Sequence, residues 1–524
     1  MLAETVREAA RRFGDRPAYV AARTDASGYE GWSVSYAELD RLSDELVAGL
    51  AERGIGPGDV VALALPAVPE YPVAYAALAK LGAVTAGVNV RLAPAERDAV
   101  LAAARPTLVL ASPEAAPAPG VGWDVAVVDP ADGCSGVFDD LRPRTGRRPS
   151  MTSTTGSDDD PVALVFTSGT TGAPKGAAFA NRQLRAITAV DVGETWGGGG
   201  PSIAASAPAH LGFMTKLPGN LRRGATQHLL PSWRAEDALR LTAQHGMGAV
   251  GGVPAQVTLM LRHPDFDRYD LSAVQAVVMG GGPATPALIR EARERFGAVV
   301  MVRYSCTEAG IGVGTAATDP PEDAEDTVGH PLPGVDLVVL DVGGGRDHQP
   351  GEAGGTAAAE RPVEAGGVGA IGLRSAAVMS GYWHDPEATA AAFTADGFVR
   401  TGDLGFVDDR GRLHLRGRST ERYVRGGYNV HPFEVEAVLA DHPAVKAVAV
   451  VPRPDDVMGE VGVAVVVAAA DARRPSLADL RRHADGRLAR HKLPEDLVVV
   501  DALPLTPADK VDRRALADLA GAAS

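Results

Sequence analysis

Cysteine and long apolar runs are scarce in this chain of 524 residues. Its two cysteines, Cys134 and Cys306, lie far apart in sequence. Neither a disulfide scaffold nor a thiolate metal cluster is therefore available, and we expect a cytoplasmic setting. The most apolar stretch, residues 71–90, contains Lys80 and a proline, which argues against an integral membrane segment. Residues 1–15 alternate charged and apolar side chains, a pattern unlike that of a secretory signal.

Positive charge is in deficit, because 51 basic side chains face 66 acidic ones and give a formal net charge of −15. Phosphate backbones select basic surfaces, so this balance argues against a nucleic-acid partner. The hydrophobic content of 45% and the charged content of 22% are those of an ordinary globular protein. The length allows about two to four domains, and the composition leaves the oligomeric state open.

Lysine is much rarer than arginine among the basic residues. Six of the 51 basic residues are lysine and the other 45 are arginine. Two of the six, Lys175 and Lys510, nevertheless occupy polar, loop-like segments. A planar guanidinium cannot replace a compact ammonium where one donor is needed at one point. We therefore predict that both lysines are functional.

A loop rich in glycine and hydroxyl groups surrounds Lys175. The sequence LVFTSGTTGAPKGAAF, residues 164–179, carries three glycines and four hydroxyl side chains after a buried strand. Small residues let the backbone approach a ligand, and stacked donors suit phosphate oxygens; a flexible surface loop is the alternative interpretation. The spacing differs from that of a Walker P-loop, which disfavours an ordinary P-loop nucleotide triphosphatase. The predicted polyphosphate-binding residues are Thr167, Ser168, Gly169, Thr170, Thr171, Gly172 and Lys175.

Helices and strands alternate along the first four hundred or so residues. Ser35 and Glu38 form a capping-box pattern at the start of a helix, and a strand at 60–65, a helix at 70–81 and a strand at 83–90 follow. This alternation predicts an α/β fold with mainly parallel sheets layered with helices. Further strands are predicted at 107–112, 162–167, 249–253, 276–279 and 299–303.

The sequence predicts two domains of unequal size. Residues 1–417 form the large one, with several subdomains, and residues 418–524 have their own strands and amphipathic helices, which are typical of a small α+β domain. Residues 341–367, rich in Gly, Ala, Glu and Pro, are predicted to be a long surface excursion.

Five further motifs follow the glycine-rich loop in a fixed order. They are VVMGGGP (277–283), YSCTEAG (304–310), TGDLG (401–405), GRSTERYVRGGYNVHPFEVE (417–436) and LPLTPADKVDRRAL (503–516). In this order, the six motifs resemble those of the adenylate-forming superfamily of acyl-CoA synthetases, peptide-synthetase adenylation domains and luciferases. The resemblance covers nearly the whole chain. It implies that a carboxylate is joined to the α-phosphate of ATP, that pyrophosphate leaves, and that a thiol then attacks the acyl-adenylate.

The resemblance also implies how the nucleotide is bound. The loop at residue 175 matches the site for the β- and γ-phosphates of ATP. The segment Gly281, Gly282, Pro283 and the ring of Tyr304 match the residues that sandwich adenine, and Asp403 and Arg418 match ribose contacts. Thr307 and Glu308 match residues that contact the α-phosphate and bind Mg²⁺, a hard cation that requires oxygen ligands.

Lys510 matches the lysine that bridges the substrate carboxylate and the nucleotide during adenylation. It lies in the small domain, so the resemblance implies that this domain folds over the large one and then rotates about a hinge at Thr420. Gly426 and Gly427 match the loop that would line a tunnel for the pantetheine thiol. The implied cofactors and co-substrates are ATP, Mg²⁺ and CoA, or the phosphopantetheine of a carrier protein.

Four positions depart from the pattern of the superfamily: Ser305, Ala370, Thr420 and Asp509. None of these changes removes a group that contacts phosphate, metal or the reacting carboxylate. We therefore expect adenylation to occur. The prediction is less firm for the second step, in its rate or in its thiol acceptor.

The acid is predicted from the segment APAHLGF, residues 207–213, where amino-acid-activating relatives carry an aspartate against the α-ammonium. No acidic residue is present there, which favours a small-molecule carboxylic acid without an α-amine. The predicted pocket residues are His210, Phe213, Gly252 and Met279.

Several functions remain open at this stage. The first is an acyl- or aryl-CoA ligase, and the second is an enzyme that loads a separate carrier protein. The third is a luciferase-like oxygenase, and the fourth is a catalytically silent nucleotide-binding module. The presence of both Lys510 and Glu308 argues against the silent module.

Overall fold

The computed structural model describes residues 1–22, 30–118, 122–129, 138, 141, 157–167, 173–204, 206–341, 361–364, 366–419, 421–469, 473–507 and 510–522. Several predicted features lie outside the described residues. They are Cys134, most of the excursion at 341–367, the loop residues Ser168, Gly169, Thr170, Thr171 and Gly172, the hinge residue Thr420, and Asp509.

The helices and strands follow one another along the whole chain. Up to residue 167 they are α1 (Leu2–Phe13), β1 (Pro17–Ala22), β2 (Glu30–Ser35), α2 (Tyr36–Glu52), β3 (Val60–Ala64), α3 (Glu70–Leu81), β4 (Val84–Gly87), α4 (Pro94–Ala104), β5 (Leu108–Ala111), β6 (Val125–Val127) and β7 (Pro161–Thr167). Up to residue 331 they are β8 (Lys175–Ala180), α5 (Asn181–Val192), β9 (Ser202–Ile203), α6 (Leu211–Met214), α7 (Leu217–Arg223), β10 (Gln227–Leu229), α8 (Ala235–Gln244), β11 (Ala249–Gly252), α9 (Pro254–Leu261), β12 (Ala276–Gly280), α10 (Pro286–Phe296), β13 (Val299–Tyr304), β14 (Val313–Gly314), α11 (Pro321–Asp326) and β15 (His330–Pro331). The remainder are β16 (Asp336–Leu340), β17 (Gly369–Arg374), β18 (Gly381–Tyr382), α12 (Pro386–Ala392), β19 (Val399–Val407), β20 (Leu413–Arg418), β21 (Tyr423–Arg425), β22 (Tyr428–Val430), α13 (Pro432–Ala440), β23 (Val445–Asp455), β24 (Gly459–Ala468), α14 (Leu477–Ala484), β25 (Asp496–Val500) and α15 (Arg513–Ala522).

The first sheet forms the centre of the large domain, with strand order β18-β8-β7-β4-β3-β5-β6. Strands β4, β3, β5 and β6 run parallel to one another and to β7. At one edge, β8 is antiparallel to β7, and β18 is antiparallel to β8. Successive residues of β3 alternate between two apolar cores, with Val61 and Leu63 in one and Val60 and Ala62 in the other. The sheet is thus buried on both faces, as parallel sheets are.

Three smaller sheets complete the large domain. One has the order β2-β1-β10-β9 and another the order β11-β12-β13-β14-β15, and each contains parallel pairs. The fourth, β16-β17-β19-β20, is wholly antiparallel. The predicted α/β class with parallel-containing sheets is confirmed. The alternation of helices and strands did not predict the antiparallel sheet, because no long helix separates its strands.

The fifth sheet belongs to the small C-terminal domain, which is confirmed as a mixture of helices and strands. Its order is β22-β21-β24-β23, and β25 pairs with β24. Helices α13 and α14 cover one face through Val435, Leu439 and Leu480, and α15 covers the other through Leu516. The predicted boundary between residues 417 and 418 falls within β20, one residue before the strand ends.

Local sequence signals account for the helices near the first sheet. Ser35 accepts a hydrogen bond from the backbone N–H of Glu38, and the Glu38 side chain accepts one from the backbone N–H of Ser35, so the predicted capping box is confirmed. The predicted helix at 70–81 coincides with α3. Across the described ranges, the structure contains no helix long and apolar enough to cross a membrane.

Candidate active site

The glycine turn and the tyrosine predicted to hold adenine lie at the same edge of the second sheet. Strands β12 and β13 are parallel, with Gly280 opposite Arg303, so Gly281 and Tyr304 follow at neighbouring carboxyl ends. Gly281 has φ of 77°, which favours glycine, and a Cβ atom there would lie 3.4 Å from Val253. The turn is exposed, whereas the side chain of Tyr304 is largely buried.

Asp403 lies between two donors that come from different strands. The Tyr304 hydroxyl donates to Oδ2 of Asp403 at 2.7 Å, and Nε of Arg418 donates to Oδ1 at 3.0 Å. Burial, with the Asp403 charge next in effect, raises the pKa of the Tyr304 hydroxyl, so it remains a donor. Burial raises the pKa of Asp403 as well, and the charge of Arg418 opposes this effect. The three side chains form one preorganised polar cluster.

Glu308 is held by a tyrosine that the sequence did not indicate. The Tyr382 hydroxyl donates to Oε1 of Glu308 at 2.7 Å. Burial, and then the Glu308 charge, raises the pKa of Tyr382. The ammonium of Lys175 lies 5.3 Å from the centroid of the Tyr382 ring, a cation–π distance. Tyr382 therefore joins the predicted phosphate-binding lysine to the predicted magnesium ligand, through the pairing of β18 with β8.

Thr167 and Thr307 lie beside this cluster. Thr167 ends β7 and is paired with Lys175 across the β7–β8 hairpin, so the loop between them begins and ends at this site. Thr307 is half-buried in the segment between β13 and Glu308. Two of the departures from the superfamily pattern are also described. The Ser305 hydroxyl donates to the carbonyl of Cys306 at 3.1 Å, and Ala370 is paired with Leu404 in the fourth sheet.

Lys510 lies at the closed end of a loop of the small domain that begins at Thr506. Leu505 and Val511 form an antiparallel bridge. The N–H of Thr506 donates to the carbonyl of Lys510 at 2.7 Å, and the N–H of Lys510 donates to Oγ1 of Thr506 at 3.3 Å. These bonds fix the backbone that carries the lysine.

The ammonium of Lys510 lies within electrostatic range of the large domain. Desolvation, followed by the charge of Arg418, lowers its pKa, while the charges of Asp403 and Glu308 act in the opposite direction. Lys510 is 335 residues from Lys175 in the sequence. The fold thus brings Tyr304, Glu308, Asp403, Arg418 and Lys510 together from both domains.

A second contact between the domains runs through Asn89. Its side-chain nitrogen lies 3.1 Å from Nε2 of His210 and 3.5 Å from the carbonyl oxygen of Pro507, in the loop that carries Lys510. Asn89 is 8% exposed. His210 precedes α6, and Phe213 within α6 is buried against Tyr71 with ring centroids 5.7 Å apart. The predicted pocket residue His210 therefore lies next to the loop of the small domain.

A cavity of about 260 Å³ lies beside α6 in the large domain. Phe213, Gly251 and Val278 are among its lining residues. The next residues on the two strands are the predicted pocket residues Gly252 and Met279, which are paired with each other. Met279 is fully buried in the core of the second sheet, so its side chain lies on the face opposite to that of Val278.

The glycines predicted for the thiol tunnel form the turn between β21 and β22. Gly426 and Gly427 have φ of 55° and 85°, conformations in which other residues are strained. The N–H of Gly426 donates to the carbonyl of Met458 within the small domain. The role of this turn in a thiol tunnel stays a prediction.

The residues present fit magnesium only in part. Among the described residues, no group of three or more His, Cys, Asp or Glu side chains could hold a metal ion. Magnesium is commonly bound by one or two carboxylates together with substrate phosphates. Glu308 fits that role if nucleotide oxygens supply the remaining ligands.

Sequence reasoning missed Tyr382 and Asn89. Tyr382 is 74 residues from Glu308, and Asn89 is 121 residues from His210. Neither residue stands in a motif with a chemical spacing, so only the tertiary structure identifies them.

Sequence profiles and known proteins resemble this chain over most of its length. The sequence profile described as "AMP-binding enzyme" matches residues 6–383, and "AMP-binding enzyme C-terminal domain" matches residues 434–510. A fatty acid–[acyl-carrier-protein] ligase of Streptomyces coeruleorubidus is 31% identical over 93% of this chain and 92% of that protein. An indoleacetate–CoA ligase of Aromatoleum aromaticum is 31% identical over 91% of each. The crystal structure of ATP-bound MatB from Rhodopseudomonas palustris has a TM-score of 0.82 at 28% identity and covers 99% of each chain.

Proposed function

The chain belongs to the AMP-binding enzymes, and on that premise we propose that it joins a carboxylic acid without an α-amine to AMP and then forms a thioester, with CoA as the acceptor. The observation that supports this most is the position of Lys510. Its ammonium comes from the small domain and lies within electrostatic range of Glu308, Asp403 and Arg418.

In the first step, the acid's carboxylate oxygen attacks the α-phosphorus of ATP. The bond to the β-phosphate breaks, and pyrophosphate leaves with the electron pair. Lys510 neutralises charge between the carboxylate and the α-phosphate, while Thr307 donates a hydrogen bond to that phosphate. Lys175 and the loop that Thr167 begins hold the departing phosphates. Magnesium bound by Glu308 would supply further charge neutralisation on the phosphate oxygens.

The nucleoside is oriented by the cluster on the other side of the site. Asp403 has its two oxygens fixed by Tyr304 and Arg418 at 2.7 and 3.0 Å, and it accepts hydrogen bonds from the ribose hydroxyls. The ring of Tyr304 and the bulk-free turn at Gly281 enclose the adenine. Fixing the nucleotide in this way keeps the α-phosphorus in line with the carboxylate.

In the second step, the thiolate attacks the acyl carbon and AMP leaves. The exposed turn of Gly426 and Gly427 has the small residues that a pantetheine arm needs for close approach. Rotation of the small domain about a hinge at Thr420 would withdraw Lys510 and bring this turn to the site.

The acid is a small molecule without an α-ammonium group, so its site needs no acidic side chain to pair with one. The segment 207–213 contains no acidic residue, and Asn89, which contacts His210, lies against the loop of Lys510. A neutral or hydroxylated hydrocarbon acid suits such surroundings better than an amino acid.

A carrier protein is the second candidate acceptor, because one relative is named as an acyl-carrier-protein ligase whereas another is named as a CoA ligase. Parallel assays with CoA and with a phosphopantetheinylated carrier protein would separate the two. Thioester formation on the carrier protein alone would exclude CoA.

The test of the proposal is acid-dependent pyrophosphate release across a panel of alkyl, alicyclic and aryl acids, with hydroxylamine added to trap the adenylate. We expect release and hydroxamate formation with at least one acid and none with α-amino acids. Oxygen consumption without thioester formation would favour an oxygenase instead. ATP binding without pyrophosphate release on any acid would favour a silent nucleotide-binding module.

A further inference from the structure

The arginine that begins helix α15 binds two carboxylates from different parts of the small domain. Arg513 stands three positions after Lys510. Its Nη1 and Nη2 atoms donate to the two carboxylate oxygens of Glu436 at 2.6 and 3.0 Å, and Nη1 also donates to the carbonyl of Val450 at 2.9 Å. Its Nε atom lies 3.1 Å from Oε2 of Glu421. One planar guanidinium therefore joins the start of its own helix to three other segments.

The two carboxylates differ in their surroundings. Glu436 is 9% exposed, and its Oε1 atom also accepts from the N–H of Val450 at 2.7 Å. Removing a partner of this buried pair would leave an unpaired charge inside the domain. The side chain of Glu421 is 31% exposed, so water can replace its contact with Arg513. The pair with Glu436 thus stabilises the fold of the domain, whereas the pair with Glu421 can be removed while Arg513 stays paired.

Glu421 lies at the junction of the two domains. It directly follows the predicted hinge residue Thr420, and its N–H donates to the carbonyl of Arg418 at 3.2 Å. Arg418 belongs to β20, in the fourth sheet, and binds the carboxylate of Asp403. The backbone at Glu421 is therefore tied to the large domain next to the proposed ribose site.

Arg513 stands at the base of the loop that carries Lys510. The loop is closed directly before Arg513, where the N–H of Asp512 donates to the carbonyl of Pro504 at 2.9 Å. The backbone bonds within the loop hold its shape, and the guanidinium attaches its base to the rest of the domain. A shift of Arg513 would therefore move the ammonium of Lys510.

The chain offers Lys510 no short path to the junction of the domains. Lys510 comes 89 positions after Glu421, whereas Gly426 of the predicted thiol turn comes five positions after it. The turn is connected to the junction by adjacent backbone, and the loop of the lysine is connected to it by the ion pair. Loss of the pair should therefore affect the step that uses Lys510 and spare the step that uses the turn.

We propose that the ion pair between Glu421 and Arg513 positions Lys510 for adenylation by linking the loop of this lysine to the junction of the domains. The inference rests on the proposed function, since Lys510 acts in the first step of that reaction. Glu421 and Arg513 are positioning residues, because they act through Lys510 and take no part in the chemistry.

The variant Glu421→Gln keeps the size of the side chain and removes its charge. Pyrophosphate release gives kcat and the KM values for ATP and for the acid, and a second assay follows conversion of supplied acyl-adenylate to thioester. We expect kcat of adenylation to fall by about three- to tenfold, because a misplaced ammonium stabilises the transition state less. Both KM values and the rate of thioester formation should stay near those of the wild type. Equal loss of both half-reactions would indicate a structural role and contradict the proposal.

The matched control is Asp496→Asn, which removes a 2.7 Å ion pair with Arg453 between β23 and β25 of the same domain. Its side chain is 39% exposed, close to the value for Glu421, and its loss should leave both half-reactions unchanged. Glu421→Asp keeps the charge and should lose less of kcat than Glu421→Gln. A wild-type kcat in Glu421→Gln overturns the proposal.

Folding is checked by circular dichroism and by the thermal shift with ATP. If Glu421→Gln does not fold, Glu421→Asp decides: a loss of kcat confined to adenylation supports the proposal, and an unchanged kcat contradicts it. Absence of pyrophosphate release by the wild type on every acid of the panel contradicts the proposed function and this inference together. Release by the wild type and by Glu421→Gln at the same rate contradicts the inference alone.

Discussion

Tyr304 donates a 2.7 Å hydrogen bond to Asp403, although the two residues are 99 positions apart. The contact joins the second sheet to the antiparallel fourth sheet, because Tyr304 ends β13 and Asp403 lies in β19. Arg418 on the neighbouring strand β20 binds the other carboxylate oxygen. The carboxylate is therefore fixed before a nucleotide arrives, so little ordering cost remains at binding.

We expect Asp403→Asn to lose the recognition of ribose hydroxyls. The neutral amide is a poorer acceptor, and it leaves Arg418 without its charged partner. The value of kcat/KM for ATP should fall by about 10- to 100-fold. The preference for ATP over 2′-deoxy- and 3′-deoxy-ATP, measured by pyrophosphate release, should shrink by a similar factor.

The control for this change is Asp409→Asn, at an exposed carboxylate six positions further along. It should leave both kcat/KM and the preference for ATP as in the wild type. Should Asp403→Asn lower activity equally with ATP and the deoxynucleotides, Asp403 would have a structural role and no ribose contact.

Glu308→Gln should raise the magnesium concentration needed for half-maximal adenylation by about tenfold or more, because it removes the anionic ligand. Titrating Mg²⁺ at fixed ATP measures this. Tyr382→Phe removes the hydroxyl bonded to Oε1 of Glu308 and should raise the requirement less, since the carboxylate stays. Glu322→Gln, at an exposed residue of α11, should have no effect. A magnesium requirement that is the same in Glu308→Gln and the wild type would rule out the metal role.

Local patterns were enough to predict the elements around the first sheet. The capping box at Ser35 and the helix at 70–81 are determined by residues close in sequence, so hydrophobic spacing and side-chain chemistry reveal them. The cluster around Asp403 was accessible only through the resemblance of the motifs. No property of TGDLG alone indicates that it pairs with Tyr304.

The parts that sequence did not predict depend on packing between distant segments. Tyr382 reaches Glu308 because β18 is added to β8 at the edge of the first sheet. Val278, and not Met279, faces the cavity because successive residues of a strand point to opposite faces. The register that decides this is fixed by the neighbouring strands, which a single sequence does not specify.

The adenylation rate should begin to fall at a lower alkaline pH than it would if Lys510 had the pKa of an ordinary lysine. Desolvation and the charge of Arg418 lower the pKa of Lys510 below its usual value near 10.5. The ammonium is the active form, so kcat/KM, which reports the free enzyme, should decline as pH rises through this lowered value. A pH profile of pyrophosphate release checks it.

The free energy of unfolding should change in the opposite direction over the pH range in which the activity declines. Between the lowered pKa of folded Lys510 and the value near 10.5 of the unfolded chain, the unfolded state binds more protons. The contribution of this residue to the free energy of unfolding therefore rises with pH there. Chemical denaturation of the wild type and of Lys510→Ala across this range separates the two effects. The prediction is wrong if activity shows no alkaline limb below the ordinary lysine value.

Lys510→Ala should divide the two half-reactions. Adenylation loses a donor in a desolvated site and should slow by about 10²- to 10³-fold, whereas conversion of supplied acyl-adenylate to thioester should stay near the wild-type rate. Lys446→Ala, at an exposed lysine of the same domain, is the matched control for both assays. Equal loss of both half-reactions in Lys510→Ala would contradict the assigned role.

Asn89→Ala should act on the same step through the position of the small domain. Asn89 lies 3.1 Å from His210 and 3.5 Å from the carbonyl oxygen of Pro507, so its loss removes a contact that holds the loop of Lys510 against the large domain. Adenylation should slow by about five- to tenfold, while thioester formation from supplied acyl-adenylate should be unaffected. His210→Ala leaves the contact with Pro507 intact and should change KM for the acid more than kcat, because His210 borders the predicted acid pocket. If Asn89→Ala impaired both half-reactions equally, the residue would stabilise the large domain without positioning the lysine.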